Sequence, residues 1–148
     1  MENNKLDFIL EDIKRHFGFL LENGYKVQNI QYFPERFEDW DVFLESSECI
    51  IEIYSEYGEI MVAILPVNFN EKVEISLKSM IFFLTQETKF IDDFEQGKEK
   101  QFSELANLLK EYLNKITPYF GNDFEKHKDI LISAQRKYFH RLLRTKKQ

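Results

Sequence analysis

The side chains best suited to catalysis near neutral pH are His16, His127, His140 and Cys49. Each histidine falls in a stretch with helical periodicity. No two of them stand four residues apart, so the zinc pair of an HExxH helix is missing, and one cysteine offers no CxxC. The bland reading of the histidines is core-edge or surface. Cys49 falls in a strand pattern, which makes it a small core residue first and a nucleophile second. The five glycines are scattered singly, so no phosphate-cradling loop exists. No GxSxG elbow exists either. The sequence therefore assigns no catalytic, cofactor-binding or metal residue, and calls for no cofactor.

Carboxylates are the abundant reactive type. Asp39-x-Asp41 and Asp92-Asp93-x-Glu95 are the densest groups, and catalysis by them needs a convergence that spacing does not show. Their distribution says more. Residues 1–75 carry 16 acidic and 6 basic side chains, whereas residues 76–148 carry 10 and 14. Within Glu35–Glu59 nine acids face one base, Arg36. Two readings follow. A solvated sheet face needs negative charge to stay soluble and to blunt edge pairing. The same charge, with Phe43, Tyr54 and Tyr57 among the acids, suits a docking surface for a basic protein. The residues that surface would use are Asp41, Phe43, Glu45, Glu52, Tyr54, Tyr57 and Glu59.

These side chains lie on the stretch Trp40–Pro66, WDVFLESSECIIEIYSEYGEIMVAILP. Apolar residues alternate at Trp40/Val42/Leu44, Cys49/Ile51/Ile53 and Ile60/Val62/Ile64, the period of a strand. Ser46-Ser47-Glu48 and Glu56-Tyr57-Gly58 are short separators rich in turn formers, so the strands form hairpins. Tyr25–Tyr32 adds an imperfect first strand, and Lys72–Ile75 reads as either loop or short edge strand. Helical stripes cover Lys5–Asn23, a short segment after the N-cap Ser76, Lys98–Ile116 and Asp123–Arg144. Gly24 is a ready left-handed stop for the first helix. Thr85–Gly97 reads as an irregular loop pinned by Phe90, Ile91 and Phe94. The expectation is one α+β domain over residues 1–148. It has an N-terminal helix, an antiparallel meander of about four strands and three C-terminal helices packed on it. The last two helices are expected to pair as a hairpin. The sheet face bearing Asp41, Glu45 and Glu52 is expected to be partly open.

Arg136–Gln148 holds six bases and no acid. Lys126, Lys137, His140, Arg141 and Arg144 share one helical face, which could bind phosphates or simply be solvated. The acidic total argues against nucleic acid. The N-terminus MENNKLDFIL lacks the pattern of a signal peptide, and no apolar run approaches a membrane span, so a cytoplasmic soluble protein is expected.

The segment DWDVFLES…CIIEIYSEYGEIMVAILP, followed by SLKSMIFFLT, resembles a pattern in small bacterial proteins, some of them immunity proteins of polymorphic toxin systems. It covers roughly Phe37 to Thr85, with Trp40 and the MIFFLT helix. The resemblance implies a protein that is not an enzyme and that neutralises a partner toxin by binding it. The first expectation is therefore a protein-binding protein, of the bacterial immunity type, that takes a basic toxin on the acidic sheet face. The alternative is a small enzyme or ligand-binding domain with a site between the 85–97 loop and the sheet. A nucleic-acid or ligand module on the C-terminal helix is a third reading. An open edge strand could also pair two copies as a homodimer.

Overall fold

The computed structural model describes residues 2–68, 70–87 and 97–146. The elements run α1 (Glu2–Glu22), β1 (Lys26–Phe33), β2 (Asp39–Glu45), β3 (Ile50–Glu56), β4 (Glu59–Leu65), β5 (Ile75–Ser76), α2 (Leu77–Thr85), α3 (Lys98–Ile116), a 3-10 turn (Thr117–Tyr119) and α4 (Phe124–Lys146). The strands form a five-stranded antiparallel meander in chain order. The α+β class is as the sequence reads. The fifth strand is the short edge segment at Ile75-Ser76, so the sheet has one strand more than the four expected.

Period two sorts the sheet into two faces. Val42, Ile53 and Val62 lie in register, as do Leu44, Ile51, Ile64 and Ile75. All seven are buried, and they form one core with Ile9, Ile13 and Phe17 of α1 and Phe102, Leu105 and Leu109 of α3. Phe102 is the hub. Its ring stacks on Trp40 at 6.0 Å and on His16 at 5.1 Å, and meets Phe17 edge-on at 6.2 Å. Such aromatic pairs add about 0.5–1.5 kcal/mol each beyond the area they bury.

The helix boundaries follow local chemistry. Gly24 is left-handed at φ 91°, and the Tyr25 amide donates back to the Leu20 carbonyl, so α1 ends in a Schellman motif. Phe17 departs from helical geometry and bends α1 one residue before Gly18. The Ser76 hydroxyl accepts from the Ser79 amide at 3.0 Å and caps α2. Asp12 joins α1 to α3 through Arg15, Lys98 and the Arg15–Glu99 pair.

The far edge of the sheet is closed by two glutamines. The Gln101 carboxamide on α3 accepts from the Ile60 amide at 2.7 Å and donates to the Gly58 carbonyl at 3.5 Å. The Gln135 carboxamide on α4 accepts from the Ser76 amide at 2.7 Å and donates to the Glu74 carbonyl at 3.1 Å. Each amide bridges residues i and i+2 of an edge, as a neighbouring strand would. This explains a departure from expectation. The last two helices do not form the expected hairpin, because α4 packs chiefly on α2 and the β5 edge. Tyr138 of α4 meets Phe82 of α2 at 5.9 Å. The opposite edge, β1, is polar and exposed over Lys26–Asn29 and carries a register shift between Val27 and Asn29. Bulges and polar residues blunt an open edge.

Gln101→Ala leaves the buried Ile60 amide without an acceptor, and is expected to lower unfolding free energy by about 1–3 kcal/mol. Gln135→Ala, at a less buried edge, should cost less. Gln31→Ala, on an exposed position of β1, should stay within about 0.5 kcal/mol. Urea melts of the three variants give the ranking.

Candidate functional site

The face opposite the core carries the acidic residues in rows set by the strand register. Asp41, Tyr54 and Met61 form one row, Phe43, Glu52, Ala63 and Ser76 the next, and Glu45, Ile50 and Leu65 a third. Glu59 pairs with Glu56 beyond them, next to the Tyr57-Gly58 turn. The sequence expected this face to be partly open. At its centre the loop before β5 lies over it. Lys72 Nζ stands 5.6 Å from the Phe43 ring centroid and 3.0 Å from Glu74 Oε1. Glu52 is left only 5 % exposed, so it cannot serve as a contact on a freely accessible surface. Asp41, Phe43, Glu45, Tyr54 and Glu59 are half-buried.

Asp41, Glu52 and Glu74 thus gather under one ammonium. Glu52 Oε1 and Asp41 Oδ1 are buried and have no hydrogen-bond partner among the described residues. Burial pushes the Glu52 carboxyl up to about 7, helped by the neighbouring Glu74 charge and by a hydrogen bond between the two. Burial likewise raises Asp41, with the Glu74 charge adding to it and Lys72 and then Arg36 pulling the other way. The hydrogen bond to Glu74 raises Lys72 in turn. Tyr54 is raised by burial and then by Glu52, Glu74, Glu56 and Glu59 around it. Near neutral pH the Glu52 carboxyl therefore carries its proton for part of the time. Among the described residues no group of three or more His, Cys, Asp or Glu is arranged to hold a metal ion.

At the end of the same sheet, two turns present aromatic rings to solvent. Phe37 is 74 % and Tyr57 64 % exposed, and their centroids are 5.0 Å apart. Phe37, Glu38 and Tyr57 are all left-handed, with φ of 57°, 60° and 53°. A bulky side chain in that region costs about 1–2 kcal/mol. Tyr57 and Gly58 both have positive φ, the requirement of a type I′ hairpin, whose usual first residue is Asn, Asp or Gly rather than Tyr. The Asp39 carboxylate ties the turns together by accepting from the Tyr57 amide at 2.9 Å. Glu35, Glu38 and Glu56, neighbours of the pair in the chain, are exposed. The Glu38 carboxylate accepts from the Tyr32 hydroxyl at 3.3 Å and meets Lys5 at 3.9 Å, and Arg36 lies over the Phe33 ring at 4.5 Å.

The other candidates take structural places. The Cys49 thiol is buried 3.3 Å from the Tyr25 hydroxyl, and burial pushes it up to about 12, far from a thiolate nucleophile. His16 stacks on Phe102 and meets Glu99 at 2.9 Å. His127 meets Tyr119 edge-on at 5.0 Å and lines an open groove of about 530 Å³ with Tyr112 and Lys115. His140 is exposed, as are Lys126, Lys137, Arg141 and Arg144. Arg141 lies over the Phe82 ring at 5.0 Å, so part of that basic face packs on α2. Asp92, Asp93, Glu95, Phe90, Ile91 and Phe94 lie outside the described residues, as does most of the 85–97 loop. No described helix is long and apolar enough to cross a membrane.

Sequence reasoning found the acidic face but missed Glu74, Lys72 and Phe37. For Glu74 a signal existed. Had the edge-strand option at Lys72–Ile75 been extended to Ser76, alternation would have put Glu74 on the acidic face. Phe37 had no comparable signal, because a connecting loop has no period. Comparison with known protein families, curated proteins and solved structures returns no match.

A carboxyl raised in the folded state binds its proton more tightly there than in the unfolded chain. Its contribution to stability is full below its ordinary value of 4.5 and is lost as pH rises toward about 7. Glu52→Gln removes this term. The variant is expected to be more stable than the parent at pH 8, by roughly 1–3 kcal/mol, with the difference shrinking or reversing at pH 4. Denaturant melts at both pH values give the result. An advantage of the parent at pH 8 would contradict the assignment.

Proposed function

We propose that this chain is a protein-binding protein that docks a basic partner on the acid-rich end of its sheet, with Phe37 and Tyr57 as apolar anchors. The observation that carries the reading is the exposed Phe37–Tyr57 pair, built on left-handed backbone and flanked in the chain by carboxylates. Strain in an exposed turn is tolerated where the side chain it presents has a use. Aromatic anchors within a polar rim are the usual energetic centre of an interface. The negative field of Glu35, Glu38, Glu56 and Glu59 speeds encounter with a cationic partner and repels nucleic acid.

The proposed biological setting is toxin neutralisation. The chain would act in the cytoplasm as an immunity protein, covering a basic toxin rather than modifying it. The basis is the charge segregation and the sequence resemblance over Phe37–Thr85. The surface differs from the partly open acidic sheet face first expected. Its contacts are Tyr57, Glu59 and the half-buried Tyr54, joined by Phe37, Glu38 and Glu56, while Glu52 lies beneath.

Tyr57→Asn separates use from stability. Asn suits the first position of a type I′ turn, so the variant should gain about 0.5–1 kcal/mol in a thermal or urea melt. It should nevertheless lose the partner. The tagged parent should retain one basic protein from its native host at low salt and release it at high salt. Tyr57→Asn and Phe37→Ala should fail to retain it. Glu56→Lys with Glu59→Lys should slow association about tenfold or more at low salt. Undiminished capture by both aromatic variants would sink the reading.

A further inference from the structure

We propose that the covered centre of the acidic face is a receptor for an arginine side chain of the partner, with the protein's own Lys72 occupying it in the free state. This rests on the docking reading above and names the chemical group the partner inserts. The ligand-binding atoms are the carboxylates of Asp41, Glu52 and Glu74, with the Phe43 ring as a stacking face.

The argument is a mismatch between the site and its present occupant. An ammonium has three donors around one point. Lys72 Nζ spends its close contact on Glu74, at 3.0 Å, and stands over the Phe43 ring. Glu52, itself 5 % exposed, still has an unpartnered Oε1, and Asp41 an unpartnered Oδ1, among the described residues. Unpaired buried carboxylate oxygens are costly, and native proteins leave few of them. A guanidinium carries five donors in one plane, can bridge two carboxylates, stacks on an aromatic ring and is less strongly hydrated than an ammonium. It matches what Lys72 leaves unsatisfied. Charge complementarity points to the same occupant, since nine acids face one base over Glu35–Glu59.

Access is cheap. The Lys72 side chain is 65 % exposed, so it can leave Glu74 by its own rotation while the neighbouring Val73 stays packed on the core. A tethered group acts as a competitor at millimolar effective concentration, so its removal should strengthen binding of a free ligand. Binding also needs Glu52 ionised, in a setting where Glu74, Lys72 and Asp41 act on it directly, Tyr54 lies beside it with Glu56 and Glu59 around that ring, and Arg36 acts on Asp41. Affinity should therefore rise from pH 6 to pH 8.

The test uses N-acetyl-arginine methylamide and its lysine counterpart, titrated into the full chain and followed by amide NMR shifts. The arginine amide should give saturable shifts centred on Asp41, Phe43, Glu52 and Tyr54. Its affinity should increase about tenfold in Lys72→Ala and in Lys72→Gln, and exceed that of the lysine amide about fivefold. Glu52→Gln and Asp41→Asn, which keep side-chain shape, should each weaken it about fivefold or more. Equal affinity for the two amides, no gain in either Lys72 variant, or shifts spread over the whole acidic surface would overturn the proposal. If the amide fails while Phe37→Ala and Tyr57→Asn still lose the protein partner, the docking reading survives and the arginine receptor falls. If the amide binds as stated while those variants keep the partner, the receptor stands and the aromatic end does not.

Discussion

The contact on which the molecule depends is the apolar stripe of Val42, Ile53 and Val62 against Phe102, Phe17 and Ile13. Three strands present a branched side chain at the same height, and two helices fill the space above. Once that face is committed to helices, period two forces Asp41, Glu52 and Tyr54 to the other side. No one-residue slip is available, because it would put Glu52 into the core and Ile53 into the acid cluster. The acidic face is therefore fixed by what the core demands.

A central strand has no neutral second face. β3 is paired on both sides, so any residue opposite its core side chains is shielded by its neighbours. Glu52 meets that condition and is then covered by the Lys72–Glu74 loop. Its raised carboxyl is the physical result of shielding a charge beside a like charge, with one ammonium as partial compensation. Tyr57 shows the same cost in the backbone: a ring held in solvent on a conformation that suits Asn or Gly better. Both features lower stability locally, and both lie on the acid-rich side of the sheet. That coincidence makes this side the functional candidate, rather than the His127 groove.

Much of the fold was legible because it is periodic. The stripe of α3 is strong enough that the expected span, Lys98–Ile116, is the observed one. The hairpins at Ser46–Glu48 and Tyr57-Gly58, the Gly24 stop and the Ser76 cap are local chemistry, and local chemistry reads directly. The pairing of the last two helices did not read correctly. An amphipathic stripe says that a helix has a partner, not which one. Gln135, a polar residue at the β5 edge, helps place α4 beside α2, and hydrophobic periodicity does not register it. The site was half legible for the same reason. Acids at alternating positions were visible on the strands, while Glu74, Lys72 and Phe37 come from connections without a period.

By itself the sequence determined the class of the protein. Alternation over Trp40–Pro66 and helical stripes around it leave an α+β meander as the natural packing, and charge segregation gives it one negative side. Only the tertiary structure decided which acids are covered, which aromatics are presented and which cation sits among them. Those outcomes depend on distances between residues far apart in the chain. Lys72 meets Phe43, and Tyr57 meets Phe37 and Asp39, because strand register and loop path bring them together. Composition and spacing record neither.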